Sequence, residues 1–226
     1  MSWHGAWLAP AVALSCLSLA LPDGAGAQSI PGYPEQVTAY DPREVALLPK
    51  YCAYTQLFRD RVPGGNDPAQ IARWHAAMGD VFIHMHHYCY GLMYLHRATV
   101  LARSADVRAT NLNSAIVEFD YVIERAPADF ALLPEILTRK GEAMLRQGRT
   151  VLALAELERA IELRPDYWPP YARISDYYRG VGETEKARAV LDRGLARAPD
   201  ATGLRRRLAE LDAAPSVRRD AKARVQ

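Results

Sequence analysis

Residues 134–167 read PEILTRKGEAMLRQGRTVLALAELERAIELRPDY, and residues 168–201 follow with WPPYARISDYYRGVGETEKARAVLDRGLARAPDA. The two segments have equal length, and small, large and proline residues recur in the same register. The shared positions are Gly141, Gly148, Ala153, Leu157, Ala160 and Pro165 in the first segment and Ser175, Gly182, Ala187, Leu191, Gly194 and Pro199 in the second. An internal repeat of this length indicates a fold of stacked, similar units.

The residue types at these positions indicate antiparallel helix pairs. Small residues such as Gly141 and Ala153 let two helices approach closely, and Gly148 suits the turn between them. Pro165 ends the second helix, because proline cannot donate the helical hydrogen bond. The pattern resembles the tetratricopeptide repeat family, in which helix pairs stack into an α-solenoid.

A more divergent copy of the repeat precedes these two. It ends at Pro127, with Ala115 and Phe119 at the same final spacings. Ala115 follows Gly91 with twelve residues more than the family's spacing, which predicts either a longer first helix or an extra loop within residues 97–110. We therefore expect an all-α fold, a short solenoid of about three helix pairs over residues 84–213 with a C-terminal capping helix.

The segments that flank the repeats have other compositions. Three prolines within residues 28–43 predict a poorly ordered leader. Residues 44–83 are predicted to form an N-terminal helical extension, with one helix over residues 44–59 and another that begins at Asp67 and continues to about Ala102. Residues 214–226 are predicted to be a basic, disordered tail.

The first residues indicate export. Residues 6–21 are apolar or small without a charge, and Ala25-Gly26-Ala27 is the pattern after which a signal peptidase cuts. We expect a signal peptide over residues 1–27, cleavage before Gln28 and a mature protein in the bacterial periplasm. The apolar run is shorter than the roughly 20 residues that span a membrane, so no membrane span is expected in the mature chain.

Two cysteines remain after such a cleavage, Cys52 and Cys89. An even number in an oxidising compartment indicates a disulfide, with two buried thiols as the alternative. The bond would close a loop and stabilise the fold by about 3–4 kcal/mol on the chain-entropy estimate.

The charge balance argues against nucleic acid or an anionic membrane as the main partner, because 28 Lys and Arg stand against 26 Asp and Glu. The family resemblance instead implies a protein or peptide partner. It places the first helix of each pair on the concave side, where a groove would be bordered by Thr138, Glu142, Arg146, Ala172, Asp176 and Arg179. Family members that clamp a terminal carboxylate use Asn and Lys at matching places, so the acids here argue against that ligand.

A histidine- and methionine-rich segment, residues 75–96, offers an alternative function. Imidazole and thioether ligands suit copper, so a copper or haem protein of the periplasm would use either His86 with Met93, or His84 with His87 and a further ligand from another helix. On a continuous helix His86 and Met93 share a side, and His84 and His87 fall on the other. The same residues also pack well in a helix interface, and packing is the interpretation we favour.

Catalysis is not expected. The sequence has no glycine-rich phosphate loop, no strand-turn-helix nucleophile motif and no two-histidine zinc-protease motif. We predict a non-enzymatic adaptor without a cofactor, bound to a protein of a cell-envelope assembly. The sequence leaves the partner and the oligomeric state open.

Overall fold

A computed structural model of this chain describes residues 40–213, which contain nine α-helices. They are α1 Pro42–Val45, α2 Pro68–Met78, α3 Met85–His96, α4 Ala105–Ile123, α5 Leu133–Arg146, α6 Thr150–Leu163, α7 Pro169–Gly180, α8 Thr184–Arg197 and α9 Thr202–Ala213. Within these residues there is no strand, which confirms the all-α prediction. The signal peptide, most of the leader and the basic tail that we predict lie outside the described residues.

Local chemistry sets where the helices begin and turn. Asp67 accepts hydrogen bonds from the backbone amides of Ala69 and Gln70, at 2.9 and 3.2 Å, and so caps α2. The turns inside the second and third helix pairs are made by Gly148 and Gly182, whose φ angles of +77° and +79° favour glycine.

Helices α3 and α4, α5 and α6, and α7 and α8 pack as pairs, and α9 packs on α8. The pairs are close because glycine stands at the crossing. A Cβ on Gly91 would lie 2.4 Å from a ring carbon of Phe119, and a Cβ on Gly141 would lie 2.7 Å from Cγ of Leu157. This arrangement confirms the predicted short solenoid, with α9 as its capping helix.

Of the two helices predicted in the N-terminal extension, the first is wrong, and the second begins at Asp67 as predicted but ends earlier than expected. Residues 44–59 contain only the end of α1 and a 3₁₀ turn, Lys50–Tyr54. Pro49 disfavours helical backbone in the residue before it, and Leu57, with φ of +68°, is left-handed and cannot continue a helix. The second predicted helix breaks at Gly79, whose φ of +62° ends α2. A 3₁₀ segment, Gly79–His84, then leads into α3.

The extra residues in the first pair form both a turn and added helix. A π-helical turn, Arg97–Leu101, follows α3, and Ser104 then caps α4. Helix α4 has 19 residues, whereas α6 and α8 have 14 each. The insertion therefore lengthens the second helix of the pair.

A disulfide joins Cys52, in the first 3₁₀ turn, to Cys89 in α3. The Cα atoms lie 5.8 Å apart, and both side chains are fully buried. The bond links the N-terminal extension to the first helix of the array.

The close helix crossing at Gly141 predicts that an alanine substitution affects stability differently at two helical glycines, Gly141 and Gly180. Gly141→Ala should destabilise the protein by about 1–3 kcal/mol, because the new methyl group has no room beside Leu157. Gly180→Ala, where no atom lies within 4 Å of the added Cβ, should be neutral or stabilising by up to about 1 kcal/mol. Urea unfolding of both variants measures the difference, and equal effects would contradict the packing described here.

Candidate partner-binding groove

A groove of about 520 Å³ lies between the N-terminal extension and the first helices of two pairs. The extension, α3 with its π-helical turn, and α5 each contribute one wall. The lining residues are Glu44, Leu47, Leu48, Pro49, Leu92, Met93, Leu95, His96, Thr99, Glu135, Arg139 and Glu142. The groove therefore has mainly apolar side chains on two walls, apart from Glu44, His96 and Thr99, and charged side chains on the third.

A paired charge holds the extension beside α3. Arg97 donates from Nε and from a terminal nitrogen to the two carboxylate oxygens of Glu44, each at 2.7 Å. Such a two-point contact between a guanidinium and a carboxylate fixes the relative orientation of both groups. Together with the disulfide, it positions the extension as a wall of the groove.

Charged side chains on the third wall are also held in place. Glu135 accepts a hydrogen bond of 2.7 Å from the hydroxyl of the buried Tyr88. Glu142 lies 3.5 Å from Arg139 and 3.0 Å from Arg146. These contacts fix both carboxylates before any partner binds.

Ion pairs connect α5 to α7 and α7 to the capping helix α9 in a repeating pattern, which we call the arginine ladder. Arg173 on α7 lies 3.0 Å from Glu142 on α5. Arg207 on α9 contacts Asp176 on α7 through two nitrogens, at 2.9 and 2.8 Å. Because acid and arginine each recur after 34 residues, the same contact forms at both junctions.

The six predicted groove residues separate into two buried uncharged residues and four charged ones. Thr138 and Ala172 are only 3% and 2% exposed, so the prediction that they face a partner is wrong. Thr138 donates instead to the carbonyl of Pro134, 2.7 Å away. Both residues are small and lie on the sides of their helices that pack against neighbours.

Arg146, Asp176 and Arg179 are at least partly exposed, whereas Glu142 is only 8% exposed. All four charged members of the predicted set are engaged in ion pairs. Glu142 lines the groove, whereas Arg146 lines a different cleft near the α5–α6 turn. Asp176 belongs to the arginine ladder, and Arg179 lies 2.9 Å from Glu210 on α9. Sequence reasoning missed Arg139 and the ladder arginines, although Arg139, Arg173 and Arg207 recur every 34 residues.

The predicted metal ligands face different partners. Nδ1 of His87 lies 2.6 Å from a carboxylate oxygen of Glu118, and its ring stacks on Tyr121. Nδ1 of His86 lies 2.9 Å from the carbonyl of Ile83, and the centroids of the His86 and His87 rings are 4.2 Å apart. The rings of His86 and His87 are thus neighbours, contrary to their predicted separation on a continuous helix.

The other two proposed ligands also serve packing. His84 meets the ring of Tyr121 edge-on, and Met93 is only 3% exposed. Burial lowers the pKa of His86 to about 4, so this imidazole is neutral at pH 7. Residues 40–213 contain no group of three or more His, Cys, Asp or Glu that could hold a metal ion.

Comparison with known proteins agrees with this architecture. Residues 144–211 match the model of the tetratricopeptide repeat family. The chain is 31% identical over 107 residues to the Hsp70-Hsp90 organizing protein of Triticum aestivum, an alignment that covers 47% of this chain and 18% of that protein. Over residues 144–211 the match agrees with the repeat pattern that the sequence indicates.

The family match and the relative both agree with a scaffold for protein–protein interaction. Cys89 is bonded to Cys52 and so does not offer a thiolate for catalysis. None of the helices within residues 40–213 is long and apolar enough to cross a membrane.

The arginine ladder predicts measurable coupling between repeats. In a double-mutant cycle with Asp176→Ala and Arg207→Ala, we expect a coupling energy of about 1–3 kcal/mol, because the contact is two-pronged and half-buried. The Arg193 and Glu158 pair, 46% and 42% exposed, is the control and should give less than about 1 kcal/mol. Urea unfolding supplies both values, and equal coupling in the two cycles would contradict a role of the ladder in joining repeats.

Proposed function

We propose that this protein is an exported adaptor of the bacterial periplasm, which binds a segment of a protein partner in the groove and retains it in a cell-envelope assembly. The observation that carries the proposal is the groove itself, which combines exposed apolar side chains with fixed charges. Its volume lies within the range of about 300–1,000 Å³ typical of ligand sites.

The apolar part of the groove supplies the affinity in this proposal. Leu47 is 64% exposed at its edge, and Leu48 and Leu92 are half-buried beside it. An apolar side chain of a partner that covers these leucines would remove their surface from water, which stabilises the complex by about 25 cal/mol for each Å² buried.

The charged wall supplies orientation. The side chain of Arg139 is 38% exposed, and its carboxylate neighbour Glu142 is only 11% exposed. Arg139 therefore presents donors to the groove while the acid beside it is already engaged by arginines. A segment with a carbonyl or carboxylate group next to an apolar side chain fits both walls.

The location rests on two features. A disulfide between buried cysteines supports an oxidising compartment, where such bonds persist. The uncharged run at residues 6–21 and the small-residue pattern that ends at Ala27 support export.

The plant relative supports the adaptor part of the proposal. Its name describes a protein that organises Hsp70 and Hsp90, which is a role in connecting other proteins. Because the alignment covers only 18% of that relative, we carry over the type of role and not its partners.

Photo-crosslinking in the producing cell tests this function. A benzoylphenylalanine at position 47 or 96 should give one discrete adduct with a protein of the periplasmic extract, because both positions line the groove. The control position is Val151, which is 82% exposed on α6 and outside the groove.

A second change tests the apolar contact. With the crosslinker at position 96, Leu47→Asp should reduce the adduct at least about fivefold, since it places a charge against an apolar segment. Adducts of equal yield at positions 96 and 151, or an adduct that Leu47→Asp leaves unchanged, would contradict binding in the groove. An adduct that forms only in the cytoplasmic fraction would contradict export.

A further inference from the structure

A second concave surface lies between the start of α4 and the turn that joins α5 to α6. We call it the insertion cleft, and its volume is about 410 Å³. Its lining residues are Ala105, Arg108, Ala109, Leu112, Asn113, Arg146, Gln147 and Arg149. No residue lines both this cleft and the groove, so the two are separate surfaces.

The cleft exists because of the insertion in the first helix pair. Helix α4 begins at Ala105 and has 19 residues, five more than the 14 residues of α6. Residues 105–110 are all exposed, so no part of residues 40–213 covers the added turns of α4. A regular helix pair without these turns would lack one wall of the cleft.

The two walls are held together before any ligand binds. The side-chain amide of Gln147 donates to the side-chain oxygen of Asn113 across the cleft, at 2.6 Å. Gly148, with φ of +77°, fixes the turn that follows. The cleft is therefore a preorganised feature, which lowers the entropic cost of binding.

Two of the three arginines that line the cleft have no acidic partner within residues 40–213. The side chains of Arg108 and Arg149 make no ion pair or hydrogen bond with any residue of the described range 40–213. Arg146, on the same surface, is 45% exposed and shares the carboxylate of Glu142 with other arginines. Asp106 is the nearest acid along α4, but it does not line the cleft. Three guanidinium groups thus border a small apolar floor that includes the exposed Ala105 and Ala109.

We propose that the insertion cleft binds an acidic segment of a protein partner, with side-chain carboxylates paired to Arg108 and Arg149 and an apolar side chain on Ala105 and Ala109. A guanidinium matches a carboxylate in planar, two-point geometry. The recessed apolar floor favours an amphipathic peptide over an anionic membrane, which would meet a flat or protruding basic surface. This second site would let the adaptor hold two segments at once, and it does not depend on the groove.

Amide NMR of the full mature protein tests the proposal with defined probes. The probe is acetyl-Glu-Leu-Asp-Glu-Leu-amide, and its uncharged counterpart is acetyl-Gln-Leu-Asn-Gln-Leu-amide. We expect the acidic peptide to shift the amide signals of Arg108, Asn113, Gln147 and Arg149 saturably, and the uncharged peptide to bind at least about tenfold more weakly. Added salt should weaken the binding, because exposed charges are screened.

Two double variants locate the binding. Arg108→Glu with Arg149→Glu should weaken binding at least about tenfold, because both carboxylate partners are reversed in charge. Arg159→Glu with Arg197→Glu changes two exposed arginines on α6 and α8 outside the cleft and should leave affinity unchanged.

Three results would overturn the proposal. They are no saturable shift in the cleft, equal affinity for the two peptides, and equal loss of affinity in both double variants. Inorganic phosphate and vesicles of phosphatidylglycerol serve as competitors. If either binds the cleft while the acidic peptide does not, the site takes another anion and the proposal fails.

Discussion

The close crossing of two antiparallel helices at a residue without a side chain is the constraint on which the rest of this structure depends. Gly91 lies against Phe119, Gly141 against Leu157, and Gly194 against Tyr171, and at each crossing an added Cβ would overlap the partner side chain. The paired helices then stack so that α5 contacts α7 and α7 contacts α9. That stacking brings acids and arginines 31 residues apart into contact, which forms the arginine ladder.

The N-terminal extension adds a wall to the groove of this array. Its own short helices would not keep that conformation alone. A four-residue helix and a five-residue 3₁₀ turn gain little from helix propagation, so contacts with α3 must hold them. The disulfide supplies one such contact, the pair of Glu44 and Arg97 at the end of α3 a second, and the edge-on contact of the Tyr40 ring with the Tyr90 ring a third. The extension can therefore act as a wall of the groove.

Sequence reasoning predicted best where local and repeat signals agree. Turn glycines, small crossing residues and terminal prolines recur together in residues 134–201, so helices α5 to α8 could be predicted from them. It failed where one residue overrides a helical pattern, as Pro49 and Gly79 do. It also failed for Thr138 and Ala172, because the family geometry names a helix side but does not show which residues neighbouring helices cover. The insertion cleft could not be foreseen, since a longer helix and an extra loop fit the spacing equally well.

The central claim is that the disulfide holds the extension against an array of helices that is stable without it. Hydrogen exchange in the wild type and in a Cys52→Ala/Cys89→Ala variant tests this claim most directly. We expect faster amide exchange in residues 40–62 of the variant, because the unfolding of that segment no longer has to open α3. Helices α5 to α9 should retain their protection. Unchanged exchange in residues 40–62, or a loss of protection that extends through α9, would contradict this account.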